Sequence, residues 1–256
     1  MILKIDTSSR TVEVTVDGTS RRFPLFSKEA FELISDEWVR VGWALKYYFT
    51  FTWMGLPILQ LPEDLIRLQE VITTLQPDVI VETGVYKGGS MLFHASICEA
   101  LGKGRVIGID KSIPPHIRED VEGHRLGHRV RLIESDSTHP DTLQAIRQEV
   151  GMSQTVMVIL DSDHSKAHVR NELEAYASLV TPGSYIVAAD GIMRILSDVP
   201  YGQPKWPNDN PAIAAREFAA VHPEFEHRPP VWKFKESDLE ENVTYWPDGW
   251  LRRRTD

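Results

Sequence analysis

Short apolar runs rich in β-branched residues recur along the middle of this chain, and helical stretches separate most of them. The runs are DVIVET, RVIGID, RVRLIESD, TVMVILDSD and SYIVAAD. Buried strands that alternate with helices form parallel sheets covered on both faces. The pattern therefore predicts an α/β fold with a parallel sheet. In such sheets, ligands bind beyond the carboxyl ends of the strands.

Helical periodicity predicts the segments between and around these strands. Asn210 and Pro211 start a late helix, because asparagine caps helices and proline suits the first helical position. Ser27 is suited to cap an early helix. The early helix and the others cover residues 28–48, 63–76, 88–102, 140–150 and 165–180.

The two ends of the chain carry strand signals. Valines at 12, 14 and 16 alternate with polar residues before Asp17-Gly18, a dipeptide that favours a type I′ turn. The first 25 residues are therefore predicted to form a small arm with a β-hairpin. Near the other end, TYWPDGWLRRR predicts one more strand around a Pro-Asp-Gly turn.

Charge and composition argue against several classes of function. The net charge is −9, so no nucleic-acid partner is expected. No apolar run approaches the roughly 20 residues that span a membrane, so no membrane partner is expected either. Cys98 is the only cysteine, so an intrachain disulfide and a thiolate metal cluster are excluded. It falls in an apolar helical pattern, which is typical of a core residue. With no signal-peptide pattern in MILKIDTSSRTVEV, these features predict a cytoplasmic protein.

Every predicted strand of the middle region ends in an acidic residue. These acids are, in chain order, Glu82, Asp110, Asp136, Asp161, Asp163 and Asp190. A single acid at a strand end is usually a helix cap or a turn residue. Chance explains five such strands poorly, and we expect a ligand site at this edge of the sheet.

The loop VETGVYKGGS follows the first of these strands. Gly84 permits a sharp turn, and Gly88 and Gly89 permit close approach to the next helix. The alternative is an ordinary tight turn. Asp110 favours a cofactor, since an acid there accepts hydrogen bonds from both ribose hydroxyls. Because Glu82 would repel a pyrophosphate, the ligand predicted is S-adenosylmethionine (SAM), with its ribose, adenine and amino-acid tail.

Five segments carry a resemblance to a known family: FTWMGLPILQLPEDL, VETGVYKGGS, ILDSDHS, TPGSYIVAAD and YWPDGWLRR. Over roughly residues 30–255, the chain resembles the cephalosporin hydroxylase-type family of class I SAM-dependent O-methyltransferases, relatives of catechol-type and macrolide sugar O-methyltransferases. The resemblance implies a Rossmann-like doubly wound seven-stranded sheet. It also implies methyl transfer to a hydroxyl of a small molecule, such as a sugar-bearing or natural-product intermediate.

The resemblance further implies how the cofactor is held. The loop after the first strand would surround the methionine part of SAM, Asp110 would hold the ribose, and Asp136 and Ser137 would lie by the adenine. With the loop glycine Gly89 added, the residues predicted to bind SAM are Glu82, Gly84, Tyr86, Gly89, Ser90, Asp110, Asp136, Ser137 and Asp161.

Related enzymes hold Mg²⁺ beside the methyl group, which implies Asp161 and Asp190 as metal ligands. The third ligand position falls on Ala189 or Gly191, and neither has a ligating side chain. Mg²⁺ is therefore predicted only as an optional cofactor. The predicted catalytic residues are Asp161 and His164, the latter as general base, because an imidazole takes a proton near neutral pH. Alternatively, His164 only precedes the next helix.

Other functions remain open at this stage. An iron-dependent hydroxylase, as the family name suggests, would use Asp163, His164 and His168 as a two-histidine, one-carboxylate site. The absent third ligand also leaves open a protein that binds SAM but catalyses a reaction other than methylation. A binding or assembly protein with a vestigial pocket is the third alternative.

The acceptor is expected to lie over the SAM methyl group. Trp53, Met54, Tyr201 and Trp206 are predicted to contact it, the last two from an insert at 192–210 that could close as a lid.

Two domains are predicted. Residues 1–60 form an N-terminal arm that mediates oligomerisation and covers the pocket, and residues 61–256 form the SAM-binding methyltransferase domain. Aromatic residues of the arm predict a homo-oligomer, since such residues are enriched at interfaces. They are Trp38, Trp43, Tyr47, Tyr48 and Phe49.

Overall fold

A small antiparallel sheet begins the structure, a computed structural model that describes residues 1–151 and 155–255. Its strands are β1 (Ile2–Asp6), β2 (Thr11–Val16) and β3 (Thr19–Pro24). The predicted hairpin is present, and its turn residues Asp17 and Gly18 have φ angles of 48° and 79°, as a type I′ turn requires. The observed sheet has one strand more than the predicted hairpin of β2 and β3, because β1 also pairs with β2.

Two helices and a short hairpin connect this sheet to the rest of the fold. They are α1 (Lys28–Ala44), β4 (Thr52–Trp53), β5 (Leu56–Pro57) and α2 (Pro62–Leu75). Ser27 caps α1 as predicted, with its side chain accepting a hydrogen bond from the Ala30 N–H. The helix ends earlier than predicted because Lys46 adopts a left-handed conformation, with φ at 55°, and a 3₁₀ turn follows.

A seven-stranded sheet forms the centre of the molecule, as predicted. Its strands are β6 (Val79–Thr83), β7 (Arg105–Asp110), β8 (Val130–Glu134), β9 (Val156–Leu160), β10 (Tyr185–Ala188), β11 (Phe225–His227) and β12 (Trp250–Arg253). Their spatial order is β11-β12-β10-β9-β6-β7-β8. β6 to β10 are parallel, and β12 runs antiparallel to both of its neighbours. β11 was not predicted from the sequence, because it is only three residues long.

Helices cover both faces of this sheet. They are α3 (Gly89–Leu101), α4 (Pro115–Glu122), α5 (Pro140–Val150), α6 (Lys166–Tyr176) and α7 (Pro211–Val221). α4 was not predicted from the sequence, because it is mostly polar and buries only Ile117 and Val121. Asn210 caps α7 as predicted, accepting a hydrogen bond from the Ile213 N–H.

The sheet separates two layers of the hydrophobic core. Along β6, Val79 and Val81 pack on the side of α5, α6 and α7, whereas Ile80 packs on the side of α2 and α3. The chain first moves from β6 outward to β8 and then returns to β9 on the other side of β6. The carboxyl ends of β6 and β9 therefore flank a topological switch point, where open α/β sheets bind ligands.

The predicted domain boundary near residue 60 falls between β5 and α2. The last residue of the predicted second domain, 256, lies outside the described residues, as do residues 152–154. None of the helices in the described ranges is long and apolar enough to cross a membrane.

Candidate functional site

A cavity of about 560 Å³ opens at the carboxyl ends of the parallel strands. Eight residues that the sequence predicted for the site line it together. They are Gly84, Tyr86, Asp110, Asp136, Ser137, Asp161, His164 and Asp190. The acids expected at one edge of the sheet therefore meet around one cavity, with the exception of Glu82.

Gly84 lets the end of β6 lie directly against the end of β9. Its φ angle is 97°, and a Cβ atom at this position would lie 2.0 Å from the carbonyl oxygen of Asp161. The glycine is thus required for chain packing beneath the cavity. The loop continues through Tyr86, which also has a positive φ of 45°, a strained conformation that is common near functional sites.

Asp110 closes this loop from the neighbouring strand. Its Oδ2 accepts hydrogen bonds from the backbone N–H groups of Val85 and Tyr86 at 3.0 and 3.2 Å. Its Oδ1 accepts a third hydrogen bond, from the Ser112 N–H at 3.1 Å. A carboxylate has about four lone-pair positions, so Asp110 keeps some acceptor capacity for a ligand. The residue expected to hold a ribose therefore also fixes the loop.

Glu82 and Ser90 lie behind the cavity wall. Glu82 is 2% exposed; its Oε1 accepts a hydrogen bond from the Ser90 hydroxyl at 2.5 Å, and its Oε2 pairs with His94 Nε2 at 2.5 Å. His94, which the sequence analysis did not single out, belongs to α3 and is itself 1% exposed. The three side chains together join the end of β6 to the start of α3.

Gly89 has a packing role that differs from the one predicted. A Cβ atom there would lie 2.2 Å from the carbonyl oxygen of Pro57. The small residue therefore accommodates the β5 segment against the start of α3. The structure does not bring Gly89 to the cavity wall.

Polar groups that follow the carboxyl end of β8 line another part of the cavity. Asp136 Oδ1 accepts hydrogen bonds from the backbone N–H and the hydroxyl of Thr138, which hold the pKa of Asp136 below its usual value. Ser137 lies next to it, 3.4 Å from His168 Nε2. This part carries the residues predicted to lie by the adenine of SAM.

Asp161, His164 and Asp190 form a second group on the cavity wall. One ligand-type atom from each residue lies within 4.8 Å of the others. His164 Nε2 is 3.5 Å from Asp190 Oδ2, and the amide N–H of Gln60 donates to Asp161 Oδ2 at 2.6 Å. Asp190 has a left-handed φ of 59°, which directs the chain away from β10 at this point.

The two acids of this group repel each other. Burial raises the pKa of Asp161 well above its usual range, and the charges of Asp190 and Glu82 raise it further, against the lowering effect of the hydrogen bond from Gln60. Burial likewise raises the pKa of Asp190, which the charge of His164 partly offsets. A cation would relieve this repulsion, and the carboxylate oxygens fit a divalent metal ion.

An aromatic wall, defined as Trp43, Tyr48 and Phe49, lines the same cavity as these acids. The Tyr48 ring stacks on Trp43 with centroids 5.1 Å apart and contacts Phe49 edge-on at 4.7 Å. These aromatic residues were predicted to lie at a subunit interface, and the arm that carries them, residues 1–60, was predicted to cover the pocket as well. No local pattern shows which part of the arm reaches the strand ends, so the particular residues that line the cavity were not predicted.

The four residues predicted to contact an acceptor lie in different surroundings. Trp53 packs edge-on against Phe93, and its indole N–H donates to the Ser96 hydroxyl at 3.1 Å. Met54 is 41% exposed in the β4–β5 turn, and neither residue is brought to the cavity wall. Trp206 contacts Trp43 edge-on behind the aromatic wall.

Tyr201 is the last of these four. It is 78% exposed, and the Lys46 ammonium lies 5.2 Å from its ring centroid. The insert that carries Tyr201 and Trp206 is anchored at Asp209, whose Oδ1 accepts a hydrogen bond from the Lys166 N–H at the start of α6.

The iron site considered in the sequence analysis is not assembled. Among the described residues, Asp163, His164 and His168 do not form a group with metal-binding distances. His168 lies instead 3.2 Å from both the Ser162 hydroxyl and Glu172 Oε1, and Asp163 accepts a hydrogen bond from the Ser165 N–H. The two-histidine arrangement is therefore wrong.

Comparison with known proteins agrees with this geometry. The family model for rhamnosyl O-methyltransferase/CmcI matches residues 45–254. A rhamnosyl O-methyltransferase of Mycobacterium leprae is 33% identical over 143 residues, which span 55% of this chain and 60% of that protein. The rhamnosyl O-methyltransferase of Mycobacterium tuberculosis is 28% identical over 212 residues, 79% of this chain and 78% of that protein.

Solved structures share the fold. CmcI bound to Mg and SAM superposes with a TM-score of 0.56 at 21% identity, over 81% of this chain and 78% of that one. MycE, a methyltransferase of the mycinamycin pathway in complex with Mg and S-adenosylhomocysteine (SAH), gives 0.50 at 18% identity, over 94% and 66%. The predicted resemblance is confirmed, and the chain belongs to the rhamnosyl O-methyltransferase/CmcI family of SAM-dependent O-methyltransferases.

Proposed function

We propose that this protein transfers the methyl group of SAM to a hydroxyl of a small-molecule acceptor bound in the strand-end cavity. The observation that carries the proposal is the meeting of two groups at one cavity. Asp110, Asp136 and Ser137 form the first group, and Asp161, His164 and Asp190 form the second. The first group suits a nucleoside, and the second suits proton transfer and cation binding.

The cofactor would occupy the side formed by β6, β7 and β8. Asp110 would accept hydrogen bonds from the ribose hydroxyls, and Asp136 and Ser137 would lie at the adenine. Gly84 and Tyr86 would border the methionine part, while Glu82 and Ser90 support this loop from behind. The acidic cavity favours the positively charged sulfonium of SAM.

Methyl transfer requires the acceptor hydroxyl to lose its proton. The reaction forms an oxygen–methyl bond, breaks the sulfur–methyl bond and releases SAH. In the metal-free protein, His164 is our candidate for the base that takes the proton, because it lines the cavity and keeps 29% of its side chain exposed. Asp190, 3.5 Å away, would then stabilise the imidazolium.

A divalent ion is the second part of the proposal. Asp161 and Asp190 would hold it, and the ion would lower the pKa of a bound hydroxyl when present. Mg²⁺ is bound in the structures of CmcI and MycE. Gln60 would orient Asp161 by its hydrogen bond at 2.6 Å.

We propose a neutral acceptor with a ring that rests on the aromatic wall. The cavity carries several carboxylates, so an acceptor with a phosphate or carboxylate group would be repelled. Phe49 is 46% exposed and offers an apolar ring face. The relatives named as rhamnosyl O-methyltransferases make a sugar-bearing acceptor the first to test.

Radioactive methyl transfer tests the proposal directly. The protein would be incubated with methyl-labelled SAM and a panel of neutral glycosides and catechols, and SAH and labelled product would be quantified. We expect equal amounts of SAH and methylated product with at least one acceptor. SAM binding without SAH formation from any acceptor would favour the second candidate, a SAM-binding protein that catalyses another reaction. We retain this second candidate because Ala189 and Gly191 provide no ligating side chain for a metal ion.

We also propose that the N-terminal arm has two tasks. Its aromatic wall covers the pocket, and the outer face of α1 would contact a second copy of the chain. That face exposes Trp38 and Val41 at 41% and 54%, and Leu45, directly after the helix, is 76% exposed. Light scattering that gives the mass of a single chain would contradict the homo-oligomer.

A further inference from the structure

The strand-end cavity carries an imidazole at the point where a third metal-binding oxygen is missing. Asp161 and Asp190 supply carboxylates, and the residues on either side of Asp190 are Ala189 and Gly191, both buried and without a donor side chain. The end of β10 therefore supplies only one carboxylate, and no third oxygen-donating side chain joins Asp161 and Asp190 from there.

His164 lies within reach of the same position. Its ligand atom, one from Asp161 and one from Asp190 all lie within 4.8 Å of each other. Its Nε2 is 3.5 Å from Asp190 Oδ2. Such a separation is compatible with two ligands of one ion, since metal–ligand distances of about 2.0–2.2 Å place neighbouring donors about 3 Å apart.

The orientation of the acids leaves room for an ion. Gln60 donates its amide N–H to Asp161 Oδ2, which leaves Oδ1 of the same carboxylate without that donor. Among the described residues, the only ion-pair contact of Asp190 is with His164, whose Nε2 lies 3.5 Å from Asp190 Oδ2. The two partly buried carboxylates thus lack a full counter-charge, and a bound cation would supply it.

We propose that Asp161, Asp190 and His164 together bind one divalent transition-metal ion, with His164 Nε2 as the third ligand, and that this site prefers Co²⁺, Zn²⁺ or Mn²⁺ to Mg²⁺. Mg²⁺ favours oxygen ligands in octahedral geometry, whereas imidazole suits the transition metals. This inference depends on the proposed function only in taking the cavity as the site of methyl transfer. It changes that proposal in one respect: in the metal-loaded protein, the same nitrogen cannot serve as base.

Metal affinity can be measured without an acceptor. Co²⁺, Mn²⁺ and Mg²⁺ would each be titrated calorimetrically into the metal-free protein and into His164→Ala. We expect the substitution to weaken Co²⁺ and Mn²⁺ binding at least about tenfold, the effect known for removing a supporting group of a metal site. Mg²⁺ affinity should change less than about threefold, because the carboxylates remain.

His168→Ala is the matched control. His168 lines the same cavity but contacts Ser137, Ser162 and Glu172 instead of the two acids. Its removal should leave the affinity for all three metals unchanged. A loss of Co²⁺ binding in both variants would point to a general disturbance of the cavity and would overturn the assignment.

Pulsed electron paramagnetic resonance identifies the ligand itself. Mn²⁺ bound to the wild type should show coupling to one ¹⁴N nucleus, retained in His168→Ala and absent in His164→Asp. Because His164→Asp replaces nitrogen by oxygen, it should also raise Mg²⁺ affinity relative to Co²⁺. Absence of ¹⁴N coupling in the wild type, or equal Mg²⁺ and Co²⁺ preference in all variants, would overturn the proposal.

SAM binding in EDTA distinguishes this outcome from failure of the proposed function. If SAM binds without metal but the ¹⁴N coupling is absent, only the ligand assignment fails. If SAM does not bind at all while Co²⁺ binding still depends on His164, the metal site stands and the methyltransferase proposal fails.

Discussion

The buried carboxylate of Asp64 and the partly buried pair Asp161 and Asp190 differ in how the chain satisfies them. Asp64, 2% exposed in α2, accepts hydrogen bonds from the Thr244 hydroxyl and from the Tyr245 N–H, the latter at 2.8 Å. Asp161 and Asp190 face a cavity and each other, with Gln60 and His164 as their partial partners. Burial raises the pKa in both places.

The difference separates structure from function. Both oxygens of Asp64 have protein donors, so this acid joins α2 to the segment before β12 without a ligand. The Asp161–Asp190 pair is incomplete, and incomplete charge compensation on a cavity wall is typical of a site that binds a cation or moves protons. Substitutions of Asp161, Asp163 and Asp64 test whether the acids differ in this way, and substitutions of Gly84 and Tyr48 test other parts of the cavity.

Asp161→Asn should have the largest effect on activity. It removes a proposed metal ligand from the cavity wall, and we expect methyl transfer to fall at least about 100-fold. Without metal, the variant should unfold at a higher temperature than the wild type, because a carboxylate with a raised pKa no longer has to ionise. Label transfer and thermal unfolding measure the two effects.

Asp163→Asn is the control for this substitution. Hydrogen bonds from Ser165 hold the pKa of Asp163 below its usual value, so its charge is stabilised by the fold. The unfolding temperature should therefore fall, in contrast to Asp161→Asn. A fall in both variants would contradict the distinction between satisfied and incomplete acids.

Gly84→Ala should affect stability most. The new Cβ would lie 2.0 Å from the Asp161 carbonyl oxygen in a backbone with φ at 97°. Strain and overpacking together should cost about 3–5 kcal/mol in the free energy of unfolding. Gly102→Ala has φ at 70° but no atom within 4 Å, so urea unfolding should show a cost of only about 1 kcal/mol there. Equal costs would show that the contact with Asp161 is unimportant.

Asp64 should make stability depend on pH. Burial raises its pKa in the folded protein to about 7, above the ordinary value of 3.8. The folded state therefore resists ionisation, and its stability relative to Asp64→Asn should fall as pH rises from about 4 to 7 and level off above that. The change should be roughly 2–4 kcal/mol. Urea unfolding of both proteins across this range measures it, and parallel curves would refute the raised pKa.

Tyr48→Phe should produce the smallest effect and should be specific to the acceptor. Burial, followed by the charges of Asp190, Tyr86 and Asp161, raises the pKa of Tyr48, so its hydroxyl remains a hydrogen-bond donor at the cavity. We expect a KM for the acceptor about five- to tenfold higher, with the Kd for SAM unchanged. Steady-state kinetics and calorimetry check this, and a weakened Kd for SAM would instead assign Tyr48 to the cofactor.

The sequence pattern was sufficient for the five parallel strands and for the acids that line the cavity. Continuous apolar runs identify buried parallel strands, and a parallel sheet brings the residues at their carboxyl ends together whatever the details of packing. This is why Asp110, Asp136, Asp161 and Asp190 could be assigned to one site from spacing alone.

Other features depend on long-range contacts that leave no local pattern. Asp64 meets Thr244, 180 positions away, and Trp43 and Tyr48 reach the cavity only through the fold of the segment after α1. Nothing in the sequence distinguishes His94 from the other residues of α3, because its contact with Glu82 exists only in the fold. Gly89 was predicted to approach a ligand, but a glycine at a helix start is equally suited to a close contact with another chain segment.

The central claim is that this cavity binds SAM, and a calorimetric titration tests it most directly. SAM would be titrated into nucleotide-free wild type and into Asp110→Ala, in EDTA and again with MgCl₂. The account predicts one SAM bound per chain of wild type in both buffers, with binding at least about tenfold weaker for Asp110→Ala, since a charged hydrogen-bond partner of the ribose is lost. Absence of binding to the wild type in both buffers would contradict it.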